Sequence, residues 1–107
     1  MEYLSLGCYH DSSQAHTIGS LESANASLLD GPYKTRENAI VKCALEAAKN
    51  GYSVFAIQNG GACFSDSYAV KMYSMYGKTS CPAGGKGGPL VYEVYLLGGR
   101  SMFDGFF

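Results

Sequence analysis

Residues 33–64, YKTRENAIVKCALEAAKNGYSVFAIQNGGACF, constrain this chain more than any other stretch. Thr35 is placed to cap a helix over 35–50 through its hydroxyl, with Glu37 in the first turn facing the positive end of the helix dipole. Ala39, Ile40, Cys43, Ala44 and Ala47 recur at spacings of three and four, so one face is apolar and small. Lys49 suits the C-terminal end, and Asn50-Gly51 supplies a left-handed exit. Such a helix would run roughly 24 Å at ~1.5 Å per residue. Val54, Phe55, Ala56 and Ile57 follow without a polar break, as in a strand covered on both faces. Gln58-Asn59-Gly60-Gly61 then signals a turn, because glycine accepts the positive φ that reversing strands need. Cys63 lies just past that turn.

A helix cysteine and a strand cysteine that both point inward invite a bridge, and Cys43–Cys63 is the preferred pair. The four cysteines, at 8, 43, 63 and 81, show no CxxC and no Cys-His cluster, which argues against zinc. An even, scattered set in a short chain fits two disulfides and an oxidising compartment. Three connectivities are open to four cysteines. With Cys43–Cys63 taken, Cys8–Cys81 follows by elimination. Met1 is not followed by a basic-then-apolar leader, which leaves a cytosolic protein or a processed chain, and the cysteines favour an extracellular, secreted one. Asn25-Ala26-Ser27 is a glycosylation sequon in keeping with that compartment.

The remaining chain organises around this unit as one domain over 1–98 and an apolar tail over 99–107. Tyr3-Leu4-Ser5-Leu6 alternates weakly into Gly7-Cys8-Tyr9, a short strand. Residues 10–29 are polar and aperiodic, a long surface loop with room for a second short strand near 16–18. Leu28, Leu29 and Tyr33 are placed to pin its end to the core. Asp66 is a good N-cap for a second helix over 66–76, striped by Ala69, Met72, Tyr73 and Tyr76 and stopped by Gly77. Residues 78–89 are a glycine-rich loop, and Val91 to Leu97 alternates as a last strand. The expected fold is α+β: a small twisted, mainly antiparallel sheet of four or five strands, the long helix packed across it, and the short second helix, with disulfides holding the set.

Candidate sites are few. His10 and His16 are the only imidazoles, and a pairing of His10 with Asp11 beside a serine can be drawn. No serine elbow or third group accompanies it, so loop histidines facing water are the better reading and no catalytic residue is assigned. The run Gly84-Gly85-Lys86-Gly87-Gly88 could cradle an anion, but Gly87 stands where a phosphate loop needs a hydroxyl, so it reads as a tight chain passage. Asp30 and Asp66 are isolated, which leaves no calcium array, and no metal or cofactor is expected. A net charge of −1 offers no basic field for nucleic acid, and no run approaches the ~18 apolar residues of a membrane span. Nine tyrosines remain. Tyr33, Tyr68, Tyr73 and Tyr76, with Arg36, Gln58, Asn59 and Asp66, could form a sugar-binding surface of aromatic faces and fixed polar groups; the alternative is that half of these tyrosines are core residues with a wet hydroxyl. Met102, Phe103, Phe106 and Phe107 in the tail form either an interface or a cover over an open strand edge.

The order Leu6-Gly7-Cys8-Tyr9, then Cys43-Ala44, then 51–63, closing with a tyrosine-bearing strand, resembles the WSC domain, near the PAN/apple group of extracellular modules. It is similar too to a four-cysteine repeat of invertebrate multidomain surface proteins, through Leu29-Asp30-Gly31-Pro32-Tyr33-Lys34-Thr35-Arg36, through 51–63 and through 81–92. The chain has four cysteines where WSC domains usually have more. The resemblance implies a non-catalytic extracellular recognition or adhesion module whose partner is a glycan or glycoprotein. The alternative is a structural subunit that self-assembles, as a homo-oligomer, through its apolar tail or a sheet edge.

Overall fold

The unbroken apolar run at 54–57 becomes the strand β2 (Val54–Gln58), every residue of which is buried. The reason is that both faces of the sheet are covered. In a computed structural model, which describes residues 2–12, 16–23, 26–80 and 90–98, four more strands join it: β1 (Tyr3–His10), β3 (Ala62–Ser65), β4 (Lys78–Thr79) and β5 (Val91–Leu97). Their spatial order is β3-β2-β5-β1-β4, and every pairing is antiparallel. Ala56 pairs with Phe64 on one side and Val94 on the other, so these three share a face. Phe55 and Tyr95 are paired on the opposite face, where their rings stack at 5.1 Å.

The helix α1 (Ala39–Lys49) covers that second face. It does so through Cys43, Ala44 and Ala47, all fully buried against Phe55, Ile57, Cys63, Tyr95 and Leu97. Small side chains on this helical stripe let its axis approach the sheet closely. The first face is covered by Ile18 from the long loop and by α2 (Ala69–Met72), which seat on Val54, Ala56, Phe64, Tyr92 and Val94. The result is the α+β fold anticipated, with a five-stranded sheet between two covering layers.

The long helix is shorter than its sequence suggests. Tyr33–Thr35 form one turn of 3₁₀ helix, Arg36 is extended (ψ 127°), and Asn38 caps α1 in the left-handed region without a side-chain bond. An extended residue cannot sit inside a helix, so Thr35 is not the cap and the helix spans 11 residues, about 16 Å. Its exit is as expected, with Gly51 at φ 79°. The second helix is likewise cut to Ala69–Met72, since Met75 and Gly77 donate to Met72 and Ser74 in three-residue turns. Asp66 supports this segment from the turn before it: Oδ1 accepts from the Tyr68 N–H at 2.9 Å.

No strand forms at 16–18; residues 19–21 run along the outer edge of β3 instead. Ser65 N donates to Gly19 O, Leu21 N donates to Cys63 O, and Ser20 bridges Phe64. Of the three residues expected to pin the loop's end, Leu29 packs on the helix-side core, whereas Leu28 and Tyr33 stay exposed. The turn between β2 and β3 packs directly on the 3₁₀ turn. A Cβ on Gly61 would meet Tyr33 O at 2.5 Å, and one on Gly60 would meet Lys34 Cα at 3.0 Å. That close approach, more than turn geometry alone, demands two glycines here.

Cys43 and Cys63 are bonded, joining α1 to β3 across the core. Cys8 is disulfide-bonded as well and no described cysteine is free. Cys81, its expected partner, lies outside the described residues, as do the sequon Asn25, the loop at 84–88 and the tail residues Met102, Phe103, Phe106 and Phe107. Replacing Cys43 and Cys63 together by Ala should lower the unfolding free energy by roughly 3 kcal/mol, as for a closed loop of this length. Urea unfolding followed by circular dichroism measures it, and the intact mass should rise by two hydrogens per bridge on reduction.

Candidate ligand cleft

The segment between β1 and α1, residues 11–38, has one 3₁₀ turn as its only helix and no strand of its own among the described residues. Two charged clusters hold it to the sheet. The first centres on Asp11, whose side chain is fully buried where β1 ends. Its backbone N–H donates to Leu90 O. Oδ2 accepts from Gln58 Nε2 at 2.8 Å and from His16 Nδ1, and Oδ1 accepts from Thr17 N at 3.2 Å. Burial alone would raise the Asp11 pKa. Hydrogen bonds from Gln58, His16 and the backbone of Ser12 and Thr17 outweigh it and hold the carboxyl below its ordinary 3.8. Beneath it the Tyr92 hydroxyl, pushed up by burial and then by the Asp11 charge, remains a donor, to Ile18 O at 3.3 Å.

The second cluster is an ion pair. Arg36 Nη1 and Nη2 each lie 2.7 Å from one oxygen of Glu22, a two-pronged contact, with the Arg36 side chain 1% exposed. The guanidinium also donates to Gly61 O at 2.9 Å, to Leu29 O at 3.3 Å and, through Nε, to Asp30 O at 3.1 Å. The Glu22 contacts outweigh burial and raise the Arg36 pKa, so its charge is secure. Glu22 Oε2 accepts from the Cys63 N–H as well, at 2.8 Å, filling a hydrogen-bond position on the β3 edge that a further strand would occupy.

Between the two clusters lies an open cavity of about 320 Å³. The sheet pleat makes its floor: Gln58 is paired with Ala62 and lies on the same face as Phe64, two residues further on. His16, Ser20 and Glu22 from the loop, with Tyr33 and Asn59, complete the lining. The His16 ring lies 5.1 Å from the Phe64 ring at 50°. Asn59 belongs to the lining from the turn, where its φ is 53°. A larger groove, about 510 Å³, runs beside α1 from Tyr3 to Gly60. It carries fewer converging polar groups on aromatic walls, and such convergence is what distinguishes a binding site from a surface furrow.

Of the residues singled out from the sequence, Tyr33, Gln58 and Asn59 come together at this cleft. Arg36 stands behind its wall, fully engaged by Glu22. Asp66 is occupied by the N–H groups of Tyr68 and Gly19. Tyr73 packs edge-on against Tyr9 at 4.9 Å, and its hydroxyl pKa is raised by burial and by Tyr9. Tyr68 and Tyr76 are exposed around α2, away from the cleft lining. The cleft residues that the sequence did not single out as ligand contacts are His16, Ser20, Glu22, Ala62 and Phe64. Asp11 pairs with His16, not with its neighbour His10. Nothing in an aperiodic loop signals the Glu22–Arg36 pairing, whereas the Asp11–His16 spacing was visible without a reason to connect the two.

Among the described residues no three His, Cys, Asp or Glu side chains converge as a metal-ligand set, and no helix is long and apolar enough to cross a membrane. Comparison of the chain with protein-family models, with curated proteins and with solved structures finds no match.

Arg36→Met should cost about 3 kcal/mol, because Glu22 is left without its cation, while the double change Glu22→Leu with Arg36→Met should recover much of that loss; urea unfolding of both variants checks the pair. Asp11 has a lower pKa folded than unfolded, so its contribution is complete above the ordinary 3.8 and disappears as pH falls through the folded value. Between about pH 5 and pH 2 the unfolding free energy of the wild type should therefore fall more steeply than that of Asp11→Asn.

Proposed function

We propose that this chain is an extracellular, non-catalytic recognition module that binds a glycan, free or on a glycoprotein, in the cleft between the long loop and the β2–β3 turn. The observation that carries this reading is the convergence of Tyr33, His16 and Phe64 rings with the amides of Gln58 and Asn59 around an open cavity of about 320 Å³. Aromatic surfaces suit the C–H faces of a sugar ring, and fixed amides suit its hydroxyls. The hydrogen bonds of Asp11 hold His16 and Gln58 in place, which reduces the ordering cost of binding. A fully buried Cys43–Cys63 bond fits an oxidising, secreted environment. The resemblance to WSC and PAN/apple modules points the same way.

The described contacts of the His16 imidazole are the Asp11 carboxylate and the Phe64 and Tyr92 rings, which suit a ring held in place at a binding surface. Self-assembly through the sheet edge is the rival. Only Cys8 and Tyr9 of β1 pair with β4, so the outer edge over residues 3–7 has no strand beside it among the described residues. The bulge between Ser5 and Gly7 interrupts that edge, a device that discourages strand addition.

Screening on a glycan array, followed by ¹H–¹⁵N NMR titration of the best binder, tests the reading. The expected shifts cluster at Asn59, Phe64 and residues 16–22, and Tyr33→Ala or Asn59→Ala should each weaken binding about tenfold, equivalent to roughly 1.4 kcal/mol. Silence across the array, with a size in solution that falls to monomer on removal of residues 99–107, would replace this reading with the self-assembling subunit.

A further inference from the structure

Resting on the recognition reading, we infer that Asp11 is a positioning residue that fixes His16 in a single tautomer, so that the cleft offers imidazole Nε2 as a hydrogen-bond acceptor and takes uncharged, hydroxyl-bearing sugars in preference to acidic ones.

The argument begins with the donor inventory. An ionised carboxylate only accepts hydrogen bonds. Asp11 Oδ2 receives Gln58 Nε2 and faces His16 Nδ1, so the hydrogen between Asp11 and the ring belongs to Nδ1. In the neutral imidazole the other nitrogen then carries a lone pair. A half-turn of the ring would put Cδ2, which has no polar hydrogen, against Asp11 in place of Nδ1 and lose this hydrogen bond; the ring also lies against Phe64 and, at 6.4 Å, Tyr92. Its side chain is 47% exposed and lines the cavity, which leaves the Nε2 side for a ligand. A sugar hydroxyl has the proton that such an acceptor requires.

Charge makes the second half of the selection. Glu22 lines the cleft, and Asp11 stands directly behind His16. The nearby cation, Arg36, is turned to Glu22 and backbone carbonyls and is almost wholly buried. No Lys or Arg is among the described residues that line the cavity. A uronic or sialic carboxylate would bring no proton for Nε2 and would meet like charge at Glu22 without a compensating cation.

Long-range ¹H–¹⁵N correlation spectra of the wild-type protein at pH 8 read the tautomer directly. Nε2 of His16 should resonate as an unprotonated nitrogen and Nδ1 as a protonated one; the reverse assignment overturns the inference whatever binds. NMR titrations should then give methyl glycosides of glucose, galactose, mannose and N-acetylglucosamine, at least one of which binds ten or more times more tightly than glucuronate and sialic acid. Equal or tighter binding of the acids overturns it. In Asp11→Asn an amide donor can face Nδ1, which should reverse the tautomer and weaken the neutral sugar at least tenfold, whereas His16→Gln, which keeps an acceptor, should retain binding within a few fold. Unchanged binding in Asp11→Asn would overturn the positioning role alone. If that variant does not fold, the wild-type nitrogen assignment and the neutral-against-acid comparison still decide. Failure of every sugar, neutral or acidic, overturns the ligand class and the recognition reading together.

Discussion

Cys63 is the residue at which the layers of this protein meet. Its sulfur is bonded to α1 through Cys43, its N–H donates to the Glu22 carboxylate, and its carbonyl accepts from Leu21 N. Helix, sheet edge and loop are thereby held at a single point of β3. Glu22 can serve there only because Arg36 neutralises it with two hydrogen bonds, and Arg36 in turn gathers the carbonyls of Leu29 and Gly61. The pair is of limited value as a source of stability, since desolvating two charges offsets most of their attraction. What it determines is location: a polar segment without its own ladder is given one place to lie.

That location creates the cleft. A sheet edge ordinarily presents unpaired N–H and C=O groups that invite another strand. Here residues 19–21 and the Glu22 side chain satisfy those of β3, so the edge is closed and a wall is built by the same contacts. The Asp11 cluster repeats the arrangement at the opposite end of the cavity. It uses Gln58, the last residue of β2, to hold the start of the loop against the sheet. Two carboxylates thus frame one opening, Asp11 fully buried and Glu22 partly exposed in the lining, and the other lining residues are neutral amides, a hydroxyl and rings.

Much of the framework was legible in the sequence because periodicity reports burial. The stripe Cys43, Ala44 and Ala47, the unbroken run at 54–57 and the glycine turn each correspond to a surface that is covered on the folded protein. The inward-facing cysteines were legible for the same reason. The boundaries of α1 and α2 were not, because side-chain contacts from elsewhere decided them. Arg36 is drawn inward to Glu22 with an extended backbone, which delays the helix to Ala39. Tyr33, Gln58 and Asn59 could be nominated for the site because turns and the ends of elements are where side chains are free to face a ligand. His16, Ser20 and Glu22 could not, since an aperiodic loop carries no pattern that says which side of it will face the sheet.

By itself, the sequence determined the α+β class, the doubly covered central strand and the hairpin after it, and it favoured the Cys43–Cys63 bridge that the fold contains. All of these follow from local spacing, because the hydrophobic effect acts on every apolar residue in the same way wherever the chain leads it. The tertiary structure decided where the helices begin, how the β3 edge is closed and which loop residues surround the cavity. These depend on single pairings of a carboxylate with a partner that no local pattern links to it, Asp11 with the Gln58 amide and Glu22 with the Arg36 guanidinium, whose strength comes from a burial that exists only once the chain has folded.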